Sequence, residues 1–237
     1  MPHVSIKAET LFNAGPLTVT NSFITNILIA ILLIIVAVMY YKGQKTVTGI
    51  LDLALRGLYD LFSMVFGDKI NTYFPIVATF FIYILILNWF GLLPGVGSIG
   101  EPHGEGIIPF LRGGTADLST TLGLSLLAIG MVQFYGIREL GFKAYISKFI
   151  NLRGPIDFVL GLLEIISELS RALSLAFRLF GNIIAGEVLL VIVAFLIPYF
   201  VSLPFLVFEI FVGLIQAVVF TMLVSIFISV ATTKHSA

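Results

Sequence analysis

Between Gly154 and Pro198 the chain reads GPIDFVLGLLEIISELSRALSLAFRLFGNIIAGEVLLVIVAFLIP, an apolar stretch that nevertheless carries Glu164, Glu168, Arg171, Arg178 and Glu187. Pro155 to Ile197 alone is 43 residues, about 65 Å if helical at 1.5 Å per residue. A bilayer core is only about 30 Å thick. A helix of this length must therefore tilt steeply, bend, or run partly along the interface. It must also carry its charges into a medium that penalises them. Ionisable residues in such a segment mark function by default.

Composition supports a membrane reading. The chain is 59% hydrophobic and 11% charged, with a mean hydropathy of +1.10, whereas soluble domains average about 25% charge. This is the composition of a polytopic membrane protein. Formal net charge is zero, so nothing points to nucleic acid. There is no cysteine, which excludes disulfides, thiolate metal sites and thiol nucleophiles. The first 21 residues hold only Lys7 and Glu9 as charges, and the first apolar run ends in Tyr40-Tyr41-Lys42. With no basic leader region and no small-residue cleavage site, that run is expected to be a retained span.

The expected organisation is an extramembrane segment, 1–21, followed by a single membrane domain, 22–237. Spans are expected at about 22–41, 70–93 and 118–136. Residues 46–66 repeat Asp52, Arg56 and Asp60 at helical spacing among Leu, Ile and Phe, which predicts an amphipathic interfacial helix. Asn88 and Trp89 stand near the far end of the second span, where an interfacial tryptophan is expected. Pro94 to Asp117 is rich in Gly and Pro and reads as a loop. Arg138 to Arg153 reads as a short basic connection. Two long helices, 155–197 and 201–233, then form a hairpin whose turn is bracketed by Pro198 and Pro204. The fold class is all-α: five membrane-embedded helices plus the amphipathic one, ending in a long, steeply tilted antiparallel hairpin. With the N-terminus outside, Lys42, Lys45, Arg56, Lys69, Arg138, Lys143, Lys148, Arg153 and Lys234 fall inside, against Lys7 and Arg112 outside. This bias predicts that orientation, with a cytoplasmic C-terminus.

Within the hairpin, facing residues share a nearly constant index sum. Arg178 with Gln216 gives 394, and Glu187 with Glu209 gives 396. One register thus brings Arg178 towards Gln216 and pairs the two glutamates. Arg171 has Glu168 three residues before it, a spacing that permits an ion pair. Arg178 has Ser174, Leu175, Gly181 and Asn182 at i±3 and i±4, so its own helix offers no neutralising charge. Glu164, Ser167, Glu168 and Ser174 lie to one side of Arg178 along the axis, and Glu187 lies to the other. Nine residues at about 100° each place Glu187 nearly opposite Arg178 around the helix. Arginine stays protonated and serves as a fixed charge, while carboxylates can carry protons. The pattern is that of two water-accessible polar pockets with a cationic barrier between them.

SLAFRLFGNIIAGE (Ser174 to Glu187) and LIQAVVF (Leu214 to Phe220) resemble subunit a of the F-type ATP synthase membrane sector. GTADLSTTLGLSL (Gly114 to Leu126) is similar to that family's TADxN-type segment, with Ser119 where asparagine is common. The resemblance implies that Arg178 is the obligatory arginine and Gln216 the characteristic glutamine, and that Asn182 is the motif asparagine. It places Glu187 and Glu209 in an outer half-channel, at positions where many relatives pair Glu with His, and Glu164, Ser167 and Ser174, with Glu168 beside them, in an inner one. Asp117 suits a helix cap, with an outer-path role as the alternative. The implied function is a stator subunit passing protons to and from the carboxylates of a rotating ring of c subunits, coupling ion flow to ATP synthesis. Implied partners are the c-ring, the peripheral-stalk b subunits, the remaining ATP synthase complex and membrane lipid. The implied location is a bacterial plasma (inner) membrane.

No cofactor is expected. No GxxxxGK loop occurs, so ATP chemistry falls to partner chains. His3, His103 and His235 are scattered, and no metal site is expected. Two rival readings remain, a stand-alone transporter binding an anion at Arg178 and a non-catalytic membrane scaffold. The first predicts internal repeats, which are absent. The second leaves an arginine without an acidic neighbour unexplained.

Overall fold

The computed structural model describes residues 9–14, 17–43, 45–93, 95–96, 100–103, 106–149, 154–196 and 202–233. The turn expected around Pro198, together with His3, His235, Lys7, Arg153 and Lys234, lies outside them. Seven α-helices are described: α1 (Asn21–Tyr41), α2 (Lys45–Phe66), α3 (Ile70–Phe90), α4 (Leu118–Leu140), α5 (Phe142–Ile146), α6 (Pro155–Leu196) and α7 (Ser202–Thr232). Five helical stretches are long and apolar enough to cross a membrane, as expected for the all-α polytopic class. They centre on α1, on α2 continuing into α3, and on α4, α6 and α7.

α1 begins under a Thr20 cap whose hydroxyl accepts from the Phe23 N–H at 3.3 Å. Its buried residues are Asn21, Ser22, Thr25 and Ile29, all at the N-terminal end. The remainder exposes Ile31, Leu32, Ile34 and Ile35, which suits a helix facing lipid. α2 is amphipathic, burying Leu58, Phe62 and Phe66 at helical spacing while Leu53 and Met64 face outward. The Tyr40 hydroxyl donates to Asp52 at 2.6 Å and ties α2 to α1. A 3-10 turn, Gly67–Lys69, leads into α3.

Two short antiparallel hairpins lie outside the helices. β1 (Thr10–Ala14) pairs with β2 (Leu17–Thr20), and β3 (Gly100–His103) pairs with β4 (Gly106–Pro109). The second falls in the stretch expected to be an irregular loop. Extended segments of four or five residues this close in sequence pair readily, and they are too short to leave a period-two apolar signature. α5 likewise occupies the expected basic connection.

The bundle is built around α7, flanked by α3 and α4, while α6 leans mainly on α4. Phe220, Val224 and Ile228 of α7, Tyr73, Val77 and Ile84 of α3, Val132 of α4 and Leu175 and Leu179 of α6 share one core. α4 and α6 offer small residues on their buried sides, Ser125 and Ala128, and Ala172 and Ala176, which allow close helix approach. The final two helices are therefore not packed principally on each other. α4 takes much of the α6 face that a simple hairpin would have used.

Candidate functional site

α6 has two distinct faces. Glu168, Ala172, Leu175, Ala176, Leu179 and Ile183 are buried, at the three- and four-residue spacings of one helical stripe. Leu169, Leu173, Phe177, Gly181 and Ala185 lie on the opposite, exposed side, and Arg178 is among them. Among the described residues Arg178 makes no hydrogen bond and no ion pair, with Gln216 included. The structure thus leaves the cation on an exposed face that it shares with Ser170 and Ser174 as well as with Leu173 and Phe177, in line with the helical spacing around it.

A cleft of about 280 Å³ runs beside Arg178, lined by Ser167, Ser170, Arg171, Ser174, Leu175 and Arg178 of α6 and by Leu223 and Phe227 of α7. Two cations and three hydroxyls on one side and two apolar residues on the other make a polar-walled groove whose Ser167 end points towards α5. There, Lys148 reaches Glu164 at 2.7 Å. Arg171 pairs with Glu168 at 2.7 Å and lies 3.9 Å from Glu164, its guanidinium 5.3 Å above the Phe227 ring. The expected Arg171–Glu168 pair is therefore present, within a wider chain of two bases and two acids. Ser167 and Ser174 line the cleft, and Glu164 and Glu168 flank it, so the structure gathers the four residues assigned to the inner path. Lys148 was missed, because it lies on a connection with no apolar period to place it. Beside this chain, Tyr145 of α5 donates to Gln133 at 2.6 Å. Burial, reinforced by the Glu168 and Glu164 charges, pushes its phenol up to about 12.

The other polar cluster lies towards the β-hairpin end. Glu187 pairs with Arg112 at 3.3 Å, both side chains largely buried. Gly113 backs the same carboxylate: a Cβ there would stand 3.4 Å from Glu187 Oε1. Glu209 is 4% exposed and its carboxylate is seated on Gly186, where any Cβ would collide with it. The Gly186–Glu209 contact has an index sum of 395, within the expected register, and Arg171 over Phe227 has 398. Asn88 of α3 is buried, donates to the Gly213 carbonyl of α7 at 3.0 Å and accepts from Thr115 at 3.0 Å. Trp89 donates to the Ile210 carbonyl at 3.0 Å. These two bonds hold α7 just past Glu209.

The amides from the motif are buried as well. The side-chain nitrogens of Asn182 and Gln216 have no partner among the described residues. Buried donors of this kind are ordinarily satisfied by water or a ligand. Asp117 caps α4 by accepting from the Ser119 N–H at 3.1 Å and also accepts from Ser22 at 2.8 Å. Arg112, Asn88, Thr115 and Gly186 carried no assignment from the sequence. Arg112 is the one lysine or arginine of the sequence between Lys69 and Arg138, just before the TAD motif, and that was the available signal.

A family model described as ATP synthase A chain matches residues 22–229, which take in both clusters and Arg178. The chain belongs to the ATP synthase A chain family. Its curated relatives include the ATP synthase subunit a of Moorella thermoacetica, 32% identical over 237 residues, 97% of each chain. That of Legionella pneumophila (strain Paris) is 34% identical, covering 96% of this chain and 93% of the relative. ATP synthase subunit a 1 of Syntrophotalea carbinolica is 35% identical, over 85% and 81%. As a member of the ATP synthase A chain family it is a multi-pass membrane subunit of the complex's Fo sector.

Proposed function

We propose that this chain conducts protons through two offset half-channels that meet, from opposite sides, a ring of carboxylate-bearing c subunits lying against α6. Arg178 carries the reading: a cation without a partner among the described residues, on an exposed helix face, with one polar cluster on each side of it along the axis. A proton enters at the β-hairpin end past Glu187 and Glu209 and passes the Asn182 and Gln216 amides to a ring carboxylate. Once neutral, that carboxylate can face lipid, which the ionised form does only at high cost. Ring rotation returns it to the serine-lined cleft, where it releases its proton towards Glu164 and Glu168. Arg178 favours the ionised carboxylate passing it, and being permanently charged it neither relays a proton nor lets one through. Asp117 stays with its cap and hydroxyl partner, at the edge of the outer path.

The b subunits are proposed partners on the remaining bundle surface. The proposed orientation puts the β-hairpin end outside and the α5 end in the cytoplasm of a bacterial cell, with residues 22–237 as one membrane domain. Arg178→Ala tests the assignment. Membranes carrying the variant complex should lose ATP synthesis driven by a proton gradient and become passively leaky to protons. Synthesis at the normal rate would overturn the role given to Arg178.

A further inference from the structure

Far from Arg178, at the α5 end of the bundle, a cleft of about 540 Å³ is lined by side chains that the proton path does not use. They include Asp68, Lys69, Tyr73, Glu139, Thr232 and Thr233. The volume lies within the range of small-molecule sites, about 300–1,000 Å³. Its chemistry is one-sided. Tyr73 donates its proton to Glu139 at 3.4 Å. Thr232 donates to the Ile228 carbonyl at 2.8 Å and Thr233 to the Ser229 carbonyl at 2.7 Å. With those protons committed, the hydroxyls offer only lone pairs, and the two carboxylates are acceptors as well.

The backbone adds to this bias. Phe66, Leu140 and Thr232, the last residues of α2, α4 and α7, all line the cleft. Three helix C-termini meet there, and each carries a partial negative charge that favours a cation. The positive features sit together on one side: Lys69, paired with Glu139 at 2.9 Å and more than half exposed, and the start of α3 at Ile70. Among the described residues the lining is thus acceptor-rich, with Lys69 as its one lining cation and Arg138 acting on Glu139 from beside it. Charged residues there border the ends of the apolar spans α3, α4 and α7, the kind of boundary at which lipid headgroups meet a membrane protein.

We propose that this cleft binds the phosphoethanolamine headgroup of a membrane lipid. The ammonium takes the acceptors of Glu139, Asp68 and the threonine hydroxyls, and the phosphate takes Lys69 at the head of α3. Insertion would exchange the exposed Lys69–Glu139 pair for two contacts bridged by the ligand, so both charges stay compensated. A choline headgroup has no N–H to give these acceptors. A glycerol headgroup brings an anion and leaves two carboxylates uncompensated.

The test uses the intact complex, purified into nanodiscs of mixed phosphatidylethanolamine, phosphatidylcholine and phosphatidylglycerol, washed with detergent and examined by native mass spectrometry. Retained lipid should be enriched in the ethanolamine form at least fivefold over the bulk mixture. Glu139→Gln should return it to the bulk ratio. Asp68→Asn, at an exposed position, should lower it severalfold, and Glu139→Asp should preserve the preference. Retention at the bulk ratio, preference for phosphatidylglycerol, or an unchanged ratio in both Glu139→Gln and Asp68→Asn would overturn the proposal. Soluble phosphoethanolamine at millimolar concentration separates the sources. Displacement supports recognition of the headgroup alone, and resistance with the ethanolamine preference intact supports the lipid. The readout is independent of proton transport, so it stands or falls apart from the role of Arg178.

Discussion

The position of the Glu209 carboxylate depends on the absence of a side chain elsewhere. It rests on Gly186, one residue before Glu187, so the two acids of this cluster are brought together by a gap in α6. Gly186→Ala fills the gap. Overpacking a site of this kind costs about 1–3 kcal/mol, and the larger effect should be functional because Glu209 must leave its seat. Proton-driven ATP synthesis in membranes should fall severalfold or more while the complex still assembles; unchanged synthesis would show that the seat is dispensable. Tyr145 allows a prediction of a different kind. Burial favours its neutral form and raises the phenol to about 12, against about 10 in an unfolded chain. Below about pH 10 neither state is ionised and the residue adds no pH dependence. As pH rises from there towards about 12, the unfolded state loses its proton first, so folded stability falls across that window. Alkaline unfolding followed by tyrosinate absorbance should therefore be less steep in Tyr145→Phe than in the parent complex.

At the scale of elements, the decisive joint is between α3 and α7. Asn88 connects three pieces, since it donates to Gly213 of α7 and accepts from Thr115 in the turn before α4. Trp89 adds a second hold at Ile210. An amide buried in an otherwise apolar span is costly unless it is hydrogen-bonded, and both the nitrogen and the oxygen of the Asn88 amide have a partner. Asn88→Leu leaves a carbonyl and a hydroxyl without their partner, at about 1–3 kcal/mol. It should lower the thermal stability of the purified complex and slow proton entry, whereas Asn88→Gln should recover part of the stability. A variant as stable and as active as the parent would mean that α7 is held by packing alone. α6 shows the opposite design: about 63 Å of helix by its 42 residues, packed along one stripe and bare along the other.

For the whole molecule, exposure alone does not separate lipid from a protein partner. Ile31 on α1 and Phe177 on α6 are 52% and 54% exposed, yet their surroundings differ. Ile31 stands among exposed Ile and Leu only, while Phe177 adjoins Arg178 and has Ser174 and Gly181 about one turn away on either side. Small residues along a helix face let another helix approach closely. A photo-crosslinking residue at Phe177 in the intact complex should capture a proteolipid subunit, and one at Ile31 should capture lipid. Capture of lipid at both positions would argue against a ring on the α6 face.

Much of this protein was legible in one dimension. Apolar runs of span length report the bilayer directly, because backbone polar groups there must bond within their own helix. Helical spacing put Arg171 beside Glu168, left Arg178 without an acid three or four residues away on its own helix, and set Glu187 against Glu209 through the index sum of two antiparallel helices. Relations between distant segments were not legible. Arg112 and Glu187 are separated by 75 residues, and Asn88 and Gly213 by 125, and no periodicity encodes such a meeting. Lys148 at Glu164 and the convergence of three helix ends around Glu139 are of the same kind. The sequence by itself determined which residues carry charge into the membrane and on which face of their helix they lie. The tertiary structure decided which of those charges are neutralised by a distant partner, because compensation in a low-dielectric interior depends on contact distance.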